Sequence, residues 1–175
     1  MGRRSEANEL ARRKMATALM ELMLEKPYEK VSITEITHAA GVSRMVYYRN
    51  YAGKKDILNR YMEDIGARIH AHIAKEAAAG NYTAYFCELF EQLGMHSDLG
   101  LSLYRADLGD MILENVEKNM LLTFPVKNAS PEEAYKRRFI AGAFYNVFIR
   151  WSLEGNKEAP EAMAEMLSRF LQNVL

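Results

Sequence analysis

"SITEITHAAGVSRMVYYRNYAGKKDIL", residues 32–58, sets two short helical patterns around a glycine and then runs into aromatic and basic side chains. Ser32 followed by Glu35 has capping-box spacing: the Ser32 hydroxyl can accept from the Glu35 N–H while the Glu35 carboxylate reaches back to the Ser32 N–H. A helix is expected to start there, with Ile33, Ile36, Thr37 and Ala40 inward, and Gly41 is placed to supply the positive φ of a sharp turn. Ser43 can cap the next helix, which should end near Tyr51 and Ala52. Gly53 then opens a longer helix with Ile57, Leu58, Tyr61, Ile65, Ile69 and Ile73 on its apolar side, closing at Gly80.

Upstream, Met15, Leu19, Leu22 and Met23 recur at helical spacing and mark a first helix from about Ser5 to Glu25, stopped by Pro27. Helices of about eight residues are not stable alone, so the two short ones must lean on their neighbours. Two short helices joined by a Gly turn and packed on a longer one form a helix-turn-helix, whose second helix enters the DNA major groove. Arg44 and Met45 fall in the first turn of that helix, where side chains reach base edges, with Thr34 as a neighbour. Tyr48, Asn50 and Lys54 follow at spacings that reach flanking phosphates.

Charge agrees with this division. The formal net charge is +0, but residues 1–60 hold 12 Lys and Arg against 7 Asp and Glu, whereas the remainder holds 11 against 16. A polyanion surface therefore belongs to the first 60 residues. With 175 residues, 49% of them hydrophobic, and only 4 prolines, the chain is expected to be ordered, globular and helix-rich. A single Cys excludes an internal disulfide. The basic N-terminus leads into a helical pattern, not an apolar signal core, and no run is apolar enough to span a bilayer, so a cytoplasmic protein with no membrane association is expected.

These residues carry a resemblance. Ser32, Ile36, Ala40-Gly41-Val42-Ser43, Tyr48, Asn50, Tyr51 and Lys54 stand without gaps where the TetR family of bacterial transcriptional regulators has its helix cap, Ala-Gly-Val-Ser turn, aromatic block and Lys. The likeness covers roughly residues 6–60. Tyr47 stands where that family prefers Leu, Asn50 where it prefers His, and Thr37 where it prefers Ala. The resemblance implies an all-α protein with a DNA-binding domain over residues 1–52 and an effector-sensing, dimerising domain over residues 53–175. It also implies a DNA surface made of Ser32, Thr34, Ser43, Arg44, Met45, Val46, Tyr48, Arg49, Asn50 and Lys54.

Further along, "GMHSDLG", residues 94–100, breaks one helix, and residues 101–124 read as a short helix and a longer one ending before Pro125. Ser130, Pro131 and Glu133 form a second helix start, launching a helix with Phe139, Ala143, Phe144, Val147, Phe148 and Trp151 that ends at Gly155. Pro160 starts the last helix, with Met163, Met166, Leu167, Phe170, Leu171 and Val174 at helical spacing. This half is similar to TetR-like regulatory domains, in which the last two helices pair with a second subunit. "FIAGAFYNVFIRWSLEG", residues 139–155, resembles the subgroup that includes the activator of the dihydroxyacetone kinase operon. The expected dimer interface comprises Phe148, Trp151, Met163, Leu167 and Phe170, with the small Ala141, Gly142 and Ala143 allowing close packing. Tyr82, Tyr85, Phe86, Tyr104, Leu108, Met111 and Phe144 are the candidate lining of a pocket for a small apolar effector, or equally members of an ordinary core.

His70 and His72 face different directions on a helix and make a poor metal pair. Cys87 lies in an apolar helical run and reads as a small buried hydrophobe. No nucleophile-base pair, phosphate loop or dinucleotide fingerprint is present, so neither catalysis nor a cofactor is expected. The expected function is a homodimeric, ligand-responsive repressor binding double-stranded operator DNA. In the family's usual mechanism, the effector moves the fourth helix and changes the separation of the two recognition helices. An activator or co-regulator answering to a partner protein is the alternative, and a helical-bundle enzyme or carrier is a third reading.

Overall fold

The structure, a computed structural model, describes residues 3–123 and 130–174, with side chains for residues 6–123 and 130–170. Among the described residues every regular element is helical, and the chain divides into two compact units, residues 1–64 and 65–175.

In the first unit, α1 (Arg3–Glu25) ends before Pro27, and a single 3-10 turn (Tyr28–Lys30) leads to α2 (Ile33–Ala39) and α3 (Arg44–Asn50). Ser32 makes the full capping box: its N–H donates to the Glu35 carboxylate at 2.9 Å, and its hydroxyl accepts from the Glu35 N–H at 3.3 Å. After α2, Gly41 takes φ +64, and the Val42 N–H reaches back to the Thr37 carbonyl at 3.0 Å, closing the helix end. Thr37 is buried, but its hydroxyl donates to the Thr34 carbonyl at 3.2 Å, so the polar group carries no unpaired cost. Met15 and Leu19 of α1, Ile36 of α2, Tyr47 of α3, and Ile57 and Leu58 of α4 (Lys54–Ala78) are at most 1% exposed. Each apolar side chain so buried contributes roughly 1.5–3 kcal/mol. This shared core is what supports two seven-residue helices. Leu22 and Met23 are only half-buried, and in α4 Met62, not Tyr61, takes the inward position.

The second unit begins within α4, where Ile65, Ile69 and Ile73 are buried. α5 (Tyr82–Gly94) packs along α9 (Pro160–Val174), and α8 (Pro131–Leu153) packs on α6 (Ser97–Arg105) and α7 (Gly109–Thr123). The break over residues 94–100 is shorter than expected, because α6 already begins at Ser97. Gly100 is required where α6 meets α8: a Cβ there would lie 2.7 Å from Phe148 Cε1. Ser130 caps α8 by accepting from the Glu133 N–H at 3.2 Å. Pro125 and the side chains of Leu171 and Val174 lie outside the described residues.

The expected dimer interface requires a correction. Phe148, Trp151, Met163 and Leu167 are at most 7% exposed in a single chain, so they are core residues with nothing left to offer a partner. Trp151 stands edge-on to Phe90 with ring centres 5.1 Å apart, and its indole N–H donates to the Glu158 carbonyl at 3.0 Å. Phe170 alone of the five is exposed. The outward face of α8 instead carries Tyr135, Phe139, Ala143 and Asn146.

Candidate nucleic-acid interface

α3 starts where the Ser43 hydroxyl accepts from the Val46 N–H at 3.4 Å. Its seven residues then divide cleanly. Tyr47 points into the core, Val46 and Asn50 are half-buried, and Arg44, Met45, Tyr48 and Arg49 face solvent. Among the described residues, no hydrogen bond or ion pair engages the Arg44 or Arg49 guanidinium, so both remain available to an external anion. Thr34 is exposed on α2.

Several residues expected at the DNA surface are engaged inside the chain. The Ser32 hydroxyl is used in the capping box, donating to Glu35 Oε2 at 2.7 Å. Asn50 and Asn8 of α1 exchange amide hydrogen bonds, both at 3.0 Å, and Asn50 also donates to the Val46 carbonyl at 2.7 Å. This pair ties the last turn of α3 to α1. Lys54 donates to the carbonyls of Tyr28, Val31 and Glu29 at 2.6, 2.7 and 3.3 Å, and its Nζ lies 4.4 Å from the centre of the Tyr28 ring. An ammonium has three donors, and three carbonyls at the end of the 3-10 turn take them. Burial lowers the Lys54 pKa, while nearby Glu29 opposes that shift. Sequence spacing placed Lys54 at a phosphate because the turn that captures it lies more than twenty residues away. The next residue, Lys55, is exposed.

The framework beneath the face is also electrostatically set. Glu35 accepts from the Lys26 ammonium and from Ser32, and these bonds hold its carboxyl down at about 2. Tyr47 is the buried residue of α3, with its ring 5.1 Å from that of Tyr48, and among the described residues its buried hydroxyl has no hydrogen-bond partner. Burial is the main reason its pKa is raised.

In the second unit, the candidate effector residues separate by exposure. Tyr85, Phe86 and Met111 are buried, and Leu108 and Phe144 are half-buried. Tyr82 and Tyr104, at 53% and 44% exposed, lie at the surface. Burial pushes the Tyr85 hydroxyl up to about 12. His70 Nδ1 lies 3.1 Å from the Thr123 hydroxyl, and His72 faces Glu88 at 3.8 Å, so the two histidines serve different neighbours. Cys87 is half-buried, not fully buried as expected. Its thiol, Glu91 and Glu161 have ligand atoms within 4.8 Å of one another. The sequence conceals that grouping, because Glu161 arrives from α9. Among the described residues, no helix is long and apolar enough to cross a membrane.

Comparison with known proteins gives a consistent family. The family described as "Bacterial regulatory proteins, tetR family" matches residues 17–61, and a TetR family described as "Transcriptional regulator C-terminal region" matches residues 80–173, more than half the chain. No curated protein matches. Among solved structures, the dihydroxyacetone kinase operon activator DhaS superposes with a TM-score of 0.63 at 16% identity, covering 93% of this chain and 94% of its own. A TetR-family transcriptional regulator of Syntrophomonas wolfei str. Goettingen superposes with a TM-score of 0.57 at 20% identity, covering 95% of each chain. At those identities the likeness is one of fold, and it is the two family matches, spanning the helix-turn-helix and the helical C-terminal region in turn, that carry the assignment: this chain belongs to the TetR family of transcriptional regulators.

Proposed function

We propose that the protein is a sequence-specific DNA-binding repressor that acts as a homodimer and releases its operator when a small, mostly apolar effector binds residues 65–175. The observation that carries the DNA-binding part is the exposed face of α3, where Arg44, Met45, Tyr48 and Arg49 stand outward on a helix tied at both ends. Arg44, at the helix start, is assigned to a guanine edge, which a guanidinium can grip bidentately. Arg49 and Lys55 are assigned to phosphates, with Thr34 and Ser43 at the margin of the contact.

Dimerisation follows from DNA geometry, since one recognition helix reads few base pairs and a two-fold dimer sets two helices on half-sites roughly 34–36 Å apart. The outward apolar positions Phe139 and Ala143 of α8 and Phe170 of α9 are the proposed interface. Effector control requires the ligand to prefer the state that does not fit DNA. An activator is the second reading, because activation is the role named for DhaS.

The test is selection of duplexes from a randomised double-stranded pool, followed by gel shift on the enriched sequence and on a scrambled one. Enrichment of a palindromic duplex supports the reading, and equal binding to both sequences rejects sequence-specific recognition. A compound screen for raised melting temperature together with weakened DNA binding tests effector control. A reporter carrying the enriched site gives the sign of regulation.

A further inference from the structure

We propose that Met45 reads the 5-methyl group of a thymine in the major groove, so that one apolar contact per half-site complements the polar reading by Arg44. The inference rests on the DNA-binding reading above and goes beyond it by naming the base and the group that is read.

Met45 is 76% exposed, although it sits two residues from Tyr47, whose side chain is almost completely buried. It is the second residue of α3, and the first turn of a recognition helix is the part that reaches base edges. Its position is held from both sides. Ser43 caps the turn that carries Met45, while the Asn8–Asn50 amide pair ties the far end of α3 to α1. Around it, Arg44, Tyr48 and Arg49 are all exposed, so the one flexible apolar group of this face lies among cations suited to a polyanion.

In the major groove a thymine alone among the four bases presents a methyl group, which hydrogen-bond donors do not sense and an apolar side chain does. A thioether on an unbranched chain can adjust to a methyl without a demanding rotamer. Tyr48 is the competing reader on this face. Its ring stands edge-on to buried Tyr47, which fixes its direction, and it lies one turn further from the helix start. Val46 is half-buried, so it presents less surface to a groove than Met45 does. Met45 is therefore the residue assigned.

The experiment uses the intact protein and duplexes that it enriches from a randomised pool, resynthesised with deoxyuridine in place of each thymine in turn. Deoxyuridine keeps the pairing and every polar groove atom and removes only the methyl. Wild-type protein should lose about fourfold in affinity at one thymine per half-site, the worth of one buried methyl. Met45→Ala should bind the thymine and uracil forms of that position equally while keeping its discrimination elsewhere. A melting curve of the variant should match wild type, because the side chain is exposed. The proposal is overturned if no single methyl matters, or if Met45→Ala retains the full methyl effect, which would assign it to Tyr48 or Val46. If the pool yields no enriched duplex, it is sequence-specific DNA binding itself that fails, and this proposal falls with it.

Discussion

Tyr47 and Glu35 show how much single residues decide beneath the recognition helix. The Tyr47 ring is buried in the core, and among the described residues its hydroxyl has no hydrogen-bond partner. Removing an unpaired buried polar atom avoids its desolvation penalty, so Tyr47→Phe should leave stability unchanged or raise it by about 1–2 kcal/mol. Urea denaturation checks this, and a clear loss of stability would mean that the hydroxyl has a partner in solution. Glu35 has its folded-state pKa depressed to about 2 from an ordinary 4.5, so its contribution to stability is fully present above the ordinary value and is lost as pH falls toward 2. The melting-temperature gap between wild type and Glu35→Gln should accordingly be present at pH 6 and shrink steadily below about pH 4.5. A gap that does not change with pH would remove the charge from the explanation.

Lys54 belongs to the scale of elements, because it joins the start of α4 to the carbonyl end of the 3-10 turn just before α2. With its donors used internally, Lys54→Ala should lower stability by about 1–3 kcal/mol and leave the salt slope of DNA binding nearly unchanged. Lys55→Ala should do the reverse, preserving the fold and reducing the slope of log affinity against log salt by about 1 per subunit. Binding titrations at several salt concentrations separate the two lysines, and a reduced slope for Lys54→Ala would return it to the DNA surface. Helix contact is equally specific in the second unit. Gly100→Ala would bring a methyl to 2.7 Å from the Phe148 ring, and overpacking of that kind should destabilise by about 1–3 kcal/mol on thermal melting.

For the whole molecule, exposure distinguishes residues that build a subunit from those able to join two. Trp151→Glu would bury a charge in the core of a single chain and should unfold the second unit, giving aggregation, not a clean monomer. Phe139→Glu and Phe170→Glu alter exposed positions and should leave a folded protein that sediments as a monomer where wild type sediments as a dimer. Sedimentation velocity with circular dichroism on the same samples decides between these outcomes. A wild-type monomer at micromolar concentration would reject the proposed interface and, with it, the paired half-sites.

The helix-turn-helix was legible from the chain because its signals are local. Ser32 and Glu35, Gly41, and Ser43 act within a few residues of one another, where capping and a positive φ depend on neighbours in sequence. Helical periodicity likewise marked which positions of α8 and α9 are apolar, but a period reports only that a face is covered and not by what. Whether Trp151 meets Phe90 of its own chain or a second subunit depends on how α5, α8 and α9 come together, so tertiary packing alone returned it to the core. The same holds for charge. Lys54 and Asn50 look free in sequence, and only the approach of the turn at residues 28–31 and of Asn8 on α1 shows their polar groups engaged. Hydrogen-bond partners distant in sequence leave no local pattern, whereas caps and turns do.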